Sequence, residues 1–228
     1  MPGDAGTRGT VREARPPSDR GDPAPRDPGR RTWGSGNQSS GLLALPDPPL
    51  RDDAVVLRPW REDDVPAIVA ACRDPLIPRF TYVPSPYGED DARAWLADLP
   101  ARRERGEHLG LAIADPVSDG LLGSVGLRMS DWAQPRAGIG YWVAPEARGR
   151  GVATRAVRLL ARWALDTLHL GRLELVTHVE NVASQRVAER VGFVREGVLR
   201  AHMEMPDGVW RDCVMFSMVA GDSVREAN

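Results

Sequence analysis

Residues 139–153 read IGYWVAPEARGRGVA, and this stretch indicates the fold more strongly than any other part of the chain. It joins a β-rich run, Ala137–Val143, to a glycine-containing turn and then to the clearest helical pattern in the sequence, Val152–Leu168. Such a helix start attracts anions, because its first N–H groups lack intrahelical partners and the helix dipole adds positive charge there. We therefore expect this segment to bind a phosphate-bearing ligand.

The turn itself narrows the choice of ligand. Gly149 and Gly151 allow a ligand to approach the backbone, and the guanidinium groups of Arg148 and Arg150 can contact phosphate oxygens. A P-loop is excluded because the chain contains no lysine, and a dinucleotide fingerprint fails because Thr154 replaces its third glycine. On these residues alone, a solvated arginine-rich turn that caps the helix remains an open alternative.

On both sides of the turn, apolar residues recur either at every second position, as in strands, or at helical spacing. These patterns predict a mixed α/β protein in which helices cover a sheet. Helices are expected at 64–73, 89–105, 152–168 and 182–191, and strands at 54–58, 109–114, 121–127, 137–143, 173–179, 193–199 and 209–219. In the helix that follows the turn, the apolar face is expected to comprise Ala153, Val157, Leu160, Ala164 and Leu168, with Arg158 on the opposite face.

The composition separates a tail from a domain. The first 50 of the 228 residues are rich in Pro and Gly and poor in aliphatic side chains, so we predict a disordered tail over 1–49, one domain over 50–221 and a short tail over 222–228. A formal net charge of -2 argues against a nucleic-acid partner. The absence of a long apolar run argues against a membrane partner and favours a cytoplasmic protein, and two isolated cysteines give no metal site.

Four further motifs follow the turn in order, namely Asn181 with Ser184, Gly192-Phe193, Glu196-Gly197 and Asp212. Together with the match of Arg148, Gly151 and Ala153 to the signature [QR]xxGx[GA], they resemble the GNAT family of acetyl-CoA-dependent N-acetyltransferases. The resemblance is greatest to its Rim-type branch, which acetylates N-terminal amines of ribosomal proteins. It implies a mixed, mostly antiparallel twisted sheet of about seven strands flanked by about four helices.

The same resemblance implies how acetyl-CoA, the co-substrate, is bound. The pyrophosphate would lie on the backbone N–H groups of the turn, and the pantetheine arm would pair with the preceding strand while the side chain at 181 reaches it. The N–H of Val143 would stabilise the oxyanion. The cofactor-binding residues implied are Tyr141, Trp142, Val143, Arg148, Gly149, Arg150, Gly151, Val152, Ala153 and Asn181.

Catalysis needs a base for the amine and an acid for the departing thiolate. The tyrosine that many GNAT enzymes use as the acid is replaced by Ala188, and the Rim-type pattern offers Ser184, which could equally be only a helix cap. Glu204 is the first candidate base, by analogy with the Rim-type acid although one residue displaced, followed by His178 and then Glu174.

The acceptor is expected to bind at the proline-rich loop 74–88, which carries Phe80, Tyr82 and Tyr87. Trp132 is a further candidate at the rim of this site. The acceptor itself stays open: a protein N-terminal α-amine is the first hypothesis, and a small amine such as an antibiotic, a polyamine or an amino acid is the second. A non-catalytic module that only binds acyl-CoA is the third, and either a monomer or a homodimer is compatible with the sequence.

Overall fold

The computed structural model describes residues 41–205 and 207–225. This part of the chain contains eight strands and five helices, so the predicted mixed α/β class is confirmed with one more strand and one more helix than expected. The strands are β1 (Leu50–Arg51), β2 (Val56–Arg58), β3 (His108–Ala114), β4 (Leu121–Asp131), β5 (Arg136–Val143), β6 (Arg172–His178), β7 (Val194–Glu204) and β8 (Trp210–Val219). The helices are α1 (Val65–Cys72), α2 (Leu76–Phe80), α3 (Glu89–Glu104), α4 (Val152–Asp166) and α5 (Val182–Val191).

All eight strands form one sheet in the order β1-β2-β3-β4-β5-β6-β8-β7. Neighbouring strands are antiparallel except β5 and β6, which run parallel and are joined by the long crossover helix α4. The anion-binding turn predicted from the sequence thus lies at the carboxyl end of β5, in the centre of the sheet.

Two apolar clusters cover the two faces of the sheet. The larger one joins α4 and α5 to the strands through residues such as Val157, Leu160 and Phe216. The smaller one joins α1, α2 and α3 to the sheet through residues such as Ile68 and Ala92. No helix among the described residues is long and apolar enough to cross a membrane.

The buried face of helix α4 differs in part from the apolar face predicted from the sequence. Val157, Leu160 and Ala164 are fully buried as expected, but Ala153 is only half-buried. Arg158, expected on the solvent side, is buried because its Nε donates a hydrogen bond to the carbonyl of Arg225, 2.5 Å away. The carboxyl-terminal residues therefore cover a side chain that periodicity alone places in water.

The predicted domain limits lie partly outside the described residues, since nothing is described for 1–40 and 226–228. Within the described part, Leu43 is fully buried in the larger cluster and its N–H donates to the carbonyl of Arg103. At the other end, Val224 packs against the same cluster. The packed domain therefore includes residues 43 and 224, on both sides of the limits expected from composition.

Candidate active site

The central strands β5 and β6 separate towards their carboxyl ends. They pair only over three positions, from Arg136–Arg172 to Gly138–Glu174. Beyond that point β5 continues to Val143 paired with β4 alone, and β6 continues to His178 paired with β8 alone. This V-shaped gap leaves one edge of β5 without a partner strand, as the sequence resemblance implies.

The hydrogen-bond pattern shows which groups of β5 face the gap. The N–H of Ala144 donates to the carbonyl of Leu122 at 2.9 Å, which makes this a hydrogen-bonded pair of the β4–β5 ladder. Because such pairs alternate in an antiparallel ladder, the backbone groups of Tyr141 and Val143 point away from β4 and into the gap. An extended polar ligand can therefore pair with β5 as an additional strand.

The turn after β5 presents further unpaired donors. Gly149 and Gly151 have φ values of 74° and 77°, a left-handed conformation that glycine adopts without strain. Within the described chain, the N–H groups of Gly149, Arg150 and Gly151 form no hydrogen bond to another backbone group. A Cβ at either glycine would meet nothing within 4 Å, so the space in front of this turn is open to a ligand.

Helix α4 begins at Val152 directly behind Gly151 and completes this anion site. Its first intrahelical bond runs from the N–H of Arg155 to the carbonyl of Gly151, so the N–H groups before it lack helical partners. The side chain of Val152 is buried in the core, and only its backbone faces the turn. The turn and the free edge of β5 together fit a ligand that has a pyrophosphate and an extended amide arm.

The guanidinium of Arg148 has a different role from the expected phosphate contact. Its Nη2 pairs with Asp74 at 2.8 Å, and its Nε donates to the carbonyl of Val143 at 3.2 Å. These bonds fix the turn to the end of β5 and to the segment after α1. Arg150, in contrast, is exposed and has no hydrogen-bond or ion-pair partner in the described residues, so it stays available to a phosphate.

A hydroxyl pair spans the gap between β5 and α5. The hydroxyl of Tyr141 on β5 donates to Ser184 Oγ at 2.8 Å, and burial raises the pKa of Tyr141 to about 12. Ser184 lies in the first turn of α5, and its N–H bonds to Oδ1 of the cap residue Asn181 at 3.1 Å. Since the tyrosine proton occupies one lone pair of Ser184, the serine's own proton is free to point elsewhere.

The side chain of Trp142 faces the opposite side of β5 from Tyr141. Its ring packs 6.4 Å from that of Trp60, and Trp60 in turn meets Trp95 at 5.1 Å. Trp142 therefore belongs to the smaller core, and only its backbone is near the gap. Because Trp142 alternates with Tyr141 and Val143, its own N–H and carbonyl face β4, so the expected polar contact with the cofactor is not available at this residue.

The three aromatic residues expected at the acceptor site have separate environments. Phe80 lies at the end of α2 with its ring edge-to-face on that of His178, 5.6 Å between centroids. Tyr82 is 55% exposed. Tyr87 is only 8% exposed and packs in the smaller core, where burial raises its pKa to about 12, so its ring is not presented to an acceptor.

Trp132 also lies away from the open end of the gap. Its Nε1 donates to the carbonyl of Gly106, and it belongs to the turn between β4 and β5. That turn is at the end of β5 where β5 and β6 are still paired. Trp132 is therefore not a rim residue of the acceptor site.

A cleft of about 670 Å³ lies between the α2 segment, the end of β6 and the β7–β8 connection. Two ion pairs border it, Arg79 with Glu180 and Arg211 with Asp207, both at 2.9 Å. The side chains lining it are those of Pro78, Arg79, Val83, Ser85, His178, Glu180, Met205, Asp207 and Arg211. Of the three expected bases, only His178 lines this cleft.

Helix α2 and the two ion pairs that hold it are not predicted from the sequence. Asp74, just before α2, pairs with Arg148 on the β5 side of the gap, and Arg79 within α2 pairs with Glu180 on the β6 side. Helix α2 therefore lies across the gap. No local pattern reveals these contacts, because the partners are 74 and 101 residues apart in sequence.

The described residues contain no group of three or more His, Cys, Asp or Glu side chains that could hold a metal. The features that come together around the β5–β6 gap are a donor-rich turn, the free edge of β5 and the Ser184 hydroxyl, an arrangement that a nucleotide-linked thioester would fit.

Comparisons with known proteins agree with this geometry. The family model described as "Acetyltransferase (GNAT) domain" matches residues 54–194. YdaF of Bacillus subtilis (strain 168), whose provisional name is ribosomal N-acetyltransferase, is 33% identical over 118 residues, which are 52% of this chain and 64% of YdaF. The match thus spans slightly less than two thirds of that relative.

Solved structures give the same result over a larger part of the chain. The structure of Mycobacterium smegmatis RimJ in complex with CoA-disulfide has 28% sequence identity and a TM-score of 0.66, and the match covers 75% of this chain and 86% of that one. Among relatives by sequence, the Escherichia coli (strain K12) ribosomal-protein-serine acetyltransferase is 30% identical over 82 residues, which are 36% of this chain and 46% of that protein. The chain is therefore similar to members of the Rim-type branch, belongs to the GNAT acetyltransferase family and uses acetyl-CoA.

Proposed function

We propose that this acetyltransferase modifies the α-amine at the N-terminus of a protein or peptide. The observation that supports this acceptor is the charge of the cleft. Its two arginines, Arg79 and Arg211, are each paired with one acid, Glu180 and Asp207, so the lining has no excess of negative charge. A polyamine carries several positive charges and needs such an excess, whereas a peptide end with a single amine does not.

The open shape of the cleft also supports a peptide N-terminus as the acceptor. It is lined by His178 at the carboxyl end of β6, where β6 has separated from β5, the strand on which the thioester arm is expected. A chain end can enter it while the rest of the peptide remains outside. We place this reaction in the cytoplasm, where newly made N-termini and acetyl-CoA meet.

The turn and the gap would hold acetyl-CoA in the manner that the resemblance implies. The N–H groups of Gly149, Arg150 and Gly151 would bind the pyrophosphate, with the Arg150 guanidinium as a further contact. The backbone of Tyr141 and Val143 would pair with the pantetheine arm, and the N–H of Val143 would stabilise the oxyanion.

Ser184 would act as the acid towards the thiolate. Its hydroxyl proton is not used in the bond with Tyr141, because the tyrosine is the donor there. When Ser184 gives up its proton, the Tyr141 hydroxyl continues to donate to Oγ and stabilises the negative charge. Asn181 fixes the serine backbone at the helix start and so orients this pair.

The test is a panel of acceptors incubated with the purified protein and acetyl-CoA, with CoA release followed by a thiol reagent. Both cysteines are buried, and burial raises the pKa of Cys72 to about 12, so the protein contributes little background. The panel pairs a Ser-led peptide with its N-formylated form, in which only the α-amine is blocked, and adds spermidine and single amino acids.

We expect release with the free peptide and none with its formylated control. Release only with spermidine or another small amine would contradict the proposed acceptor. Tight acetyl-CoA binding without release on any acceptor would contradict turnover itself and favour a binding module.

A further inference from the structure

The imidazole of His178 lies at the open end of the β5–β6 gap. It is the last residue of β6, its ring lines the acceptor cleft, and the residue is only 5% exposed. The ring of Phe80 stands at 90° to it and covers it from the α2 side. The imidazole is therefore packed against Phe80 at the end of β6, in the wall of the cleft proposed for the acceptor.

Neither ring nitrogen of His178 has a hydrogen-bond partner in the described part of the protein, and Nε2 is completely buried. A buried polar atom without a partner costs about 1–3 kcal/mol of folding stability. A histidine whose only role is structural normally has a carbonyl or carboxylate on one nitrogen. The imidazole therefore keeps an unused lone pair, whichever of its two ring nitrogens carries the proton.

The groups around His178 favour its neutral form. Burial lowers its pKa below the ordinary value of 6.5, and the positive charges of Arg211 on β8 and Arg79 on α2 act in the same direction. Glu180, in the connection to α5, opposes them. Asp207, from the β7–β8 connection, lines the cleft but is paired with Arg211. At neutral pH the ring is therefore uncharged and can accept a proton.

The other two candidates for the general base, Glu204 and Glu174, lie elsewhere in the sheet than His178. Paired residues on adjacent strands share a face, and His178 pairs with Cys213 while Glu204 pairs with Trp210. Positions 210 and 213 of β8 differ by an odd number of residues, so alternation puts Glu204 on the opposite face of the sheet from His178. The pairing also places it about 10 Å farther along the strand.

Glu174, the other acid, lies at the closed end of the gap. It pairs with Gly138, the last position at which β5 and β6 are joined, and its carboxylate is held by Arg172 at 2.8 Å. Neither glutamate thus borders the cleft among the described residues.

We propose that His178 is the general base of the acetyl transfer, an inference that rests on the proposed function. The amine nitrogen attacks the thioester carbonyl carbon, and its proton passes to a ring nitrogen of His178. The C–S bond breaks, and the sulfur takes the proton of Ser184 Oγ. The proton on His178 then returns through solvent to Ser184, so that one proton has moved in all from nitrogen to sulfur.

The experiment compares kcat/KM for the Ser-led peptide as a function of pH, at saturating acetyl-CoA, in the full-length wild type, His178→Gln and Glu204→Gln. Two groups must be neutral in the wild type, the α-amine with a pKa near 8 and His178 with a pKa below 6.5. The logarithm of kcat/KM should therefore rise with a slope of two at low pH and a slope of one above it.

His178→Gln should lose about a hundredfold or more in kcat/KM at pH 8 and keep only the slope of one, with unchanged affinity for acetyl-CoA. Glu204→Gln, the matched control, should retain the wild-type rate and profile. A wild-type profile with a single ionisation, an active His178→Gln, or the loss appearing in Glu204→Gln instead would each overturn the assignment. The wild-type profile decides the question even if His178→Gln does not fold. Absence of turnover in the wild type contradicts the proposed function instead.

Discussion

A negative charge at residue 151 should abolish cofactor binding without harming the fold. Gly151 is the cap residue of α4, with φ 77° and ψ 3°, and a Cβ there would point into open space. Asn and Asp tolerate this left-handed conformation better than other residues with side chains. Gly151→Asp and Gly151→Asn are therefore a matched pair that differs essentially in one charge.

The size of the effect follows from the position of the turn. A carboxylate on residue 151 would lie within roughly 5 Å of an anion that is bound to the neighbouring N–H groups, and Coulomb's law with an effective dielectric constant of about 20 gives a repulsion of about 3 kcal/mol. This corresponds to a loss of affinity of more than a hundredfold. The same charge is favourable for the free helix, since it lies at the positive end of the α4 dipole.

Isothermal titration calorimetry with acetyl-CoA measures the difference directly. We expect Gly151→Asn to bind within about tenfold of the wild type and Gly151→Asp at least a further hundredfold more weakly, with a smaller gap at high salt because the charges are screened. Both variants should melt within a few degrees of the wild type. Equal affinities for the two variants would refute the assignment of this turn to the pyrophosphate.

Four further substitutions test other residues of the site and of the fold. Ser184→Ala should lower kcat about a hundredfold. Tyr141→Phe should lower kcat only about tenfold, because it removes just the hydrogen bond to Ser184. Steady-state kinetics checks both variants, acetyl-CoA affinity should stay unchanged, and an unaffected kcat would contradict the proposed role of the hydroxyl pair. Asp74→Asn removes the ion pair with Arg148 and should raise the peptide KM about fivefold; a change confined to acetyl-CoA affinity would count against this role. Burial lowers the pKa of His108 from 6.5 to about 4. The folded state therefore loses stability as pH falls through this range, by roughly 3 kcal/mol in total. Urea unfolding at pH 7 and at pH 4.5 should show this loss in the wild type and not in His108→Phe.

The local signals of the sequence predict the elements around the turn well. Helix α5 is predicted with its observed bounds, because Asn181 caps its start and Gly192, with φ 110°, ends it in a left-handed conformation. Strand β7 is predicted to end at Leu199 but continues to Glu204. The reason is an irregular register after Leu199, with a positive φ at Ala201, which disrupts the alternation on which the prediction depends.

Contacts between distant segments are the part that the sequence does not predict. Pro75 and Pro78 make the segment after α1 read as a loop, yet Pro75 is the cap residue before α2 and Pro78 lies inside this short helix. The two ends of the helix are held by ion pairs with Arg148 and Glu180. The choice between the candidate bases also depends on contacts between distant segments. Which face of the sheet a glutamate occupies depends on strand register, and register is set by pairing across the sheet.

The most direct measurement is mass spectrometry of a Ser-led peptide that also contains a lysine, after incubation with the protein and acetyl-CoA. We predict a single acetyl group on the N-terminal nitrogen, with the lysine unmodified. Acetylation of the lysine alone, or an unmodified peptide under conditions in which spermidine is acetylated, would contradict it.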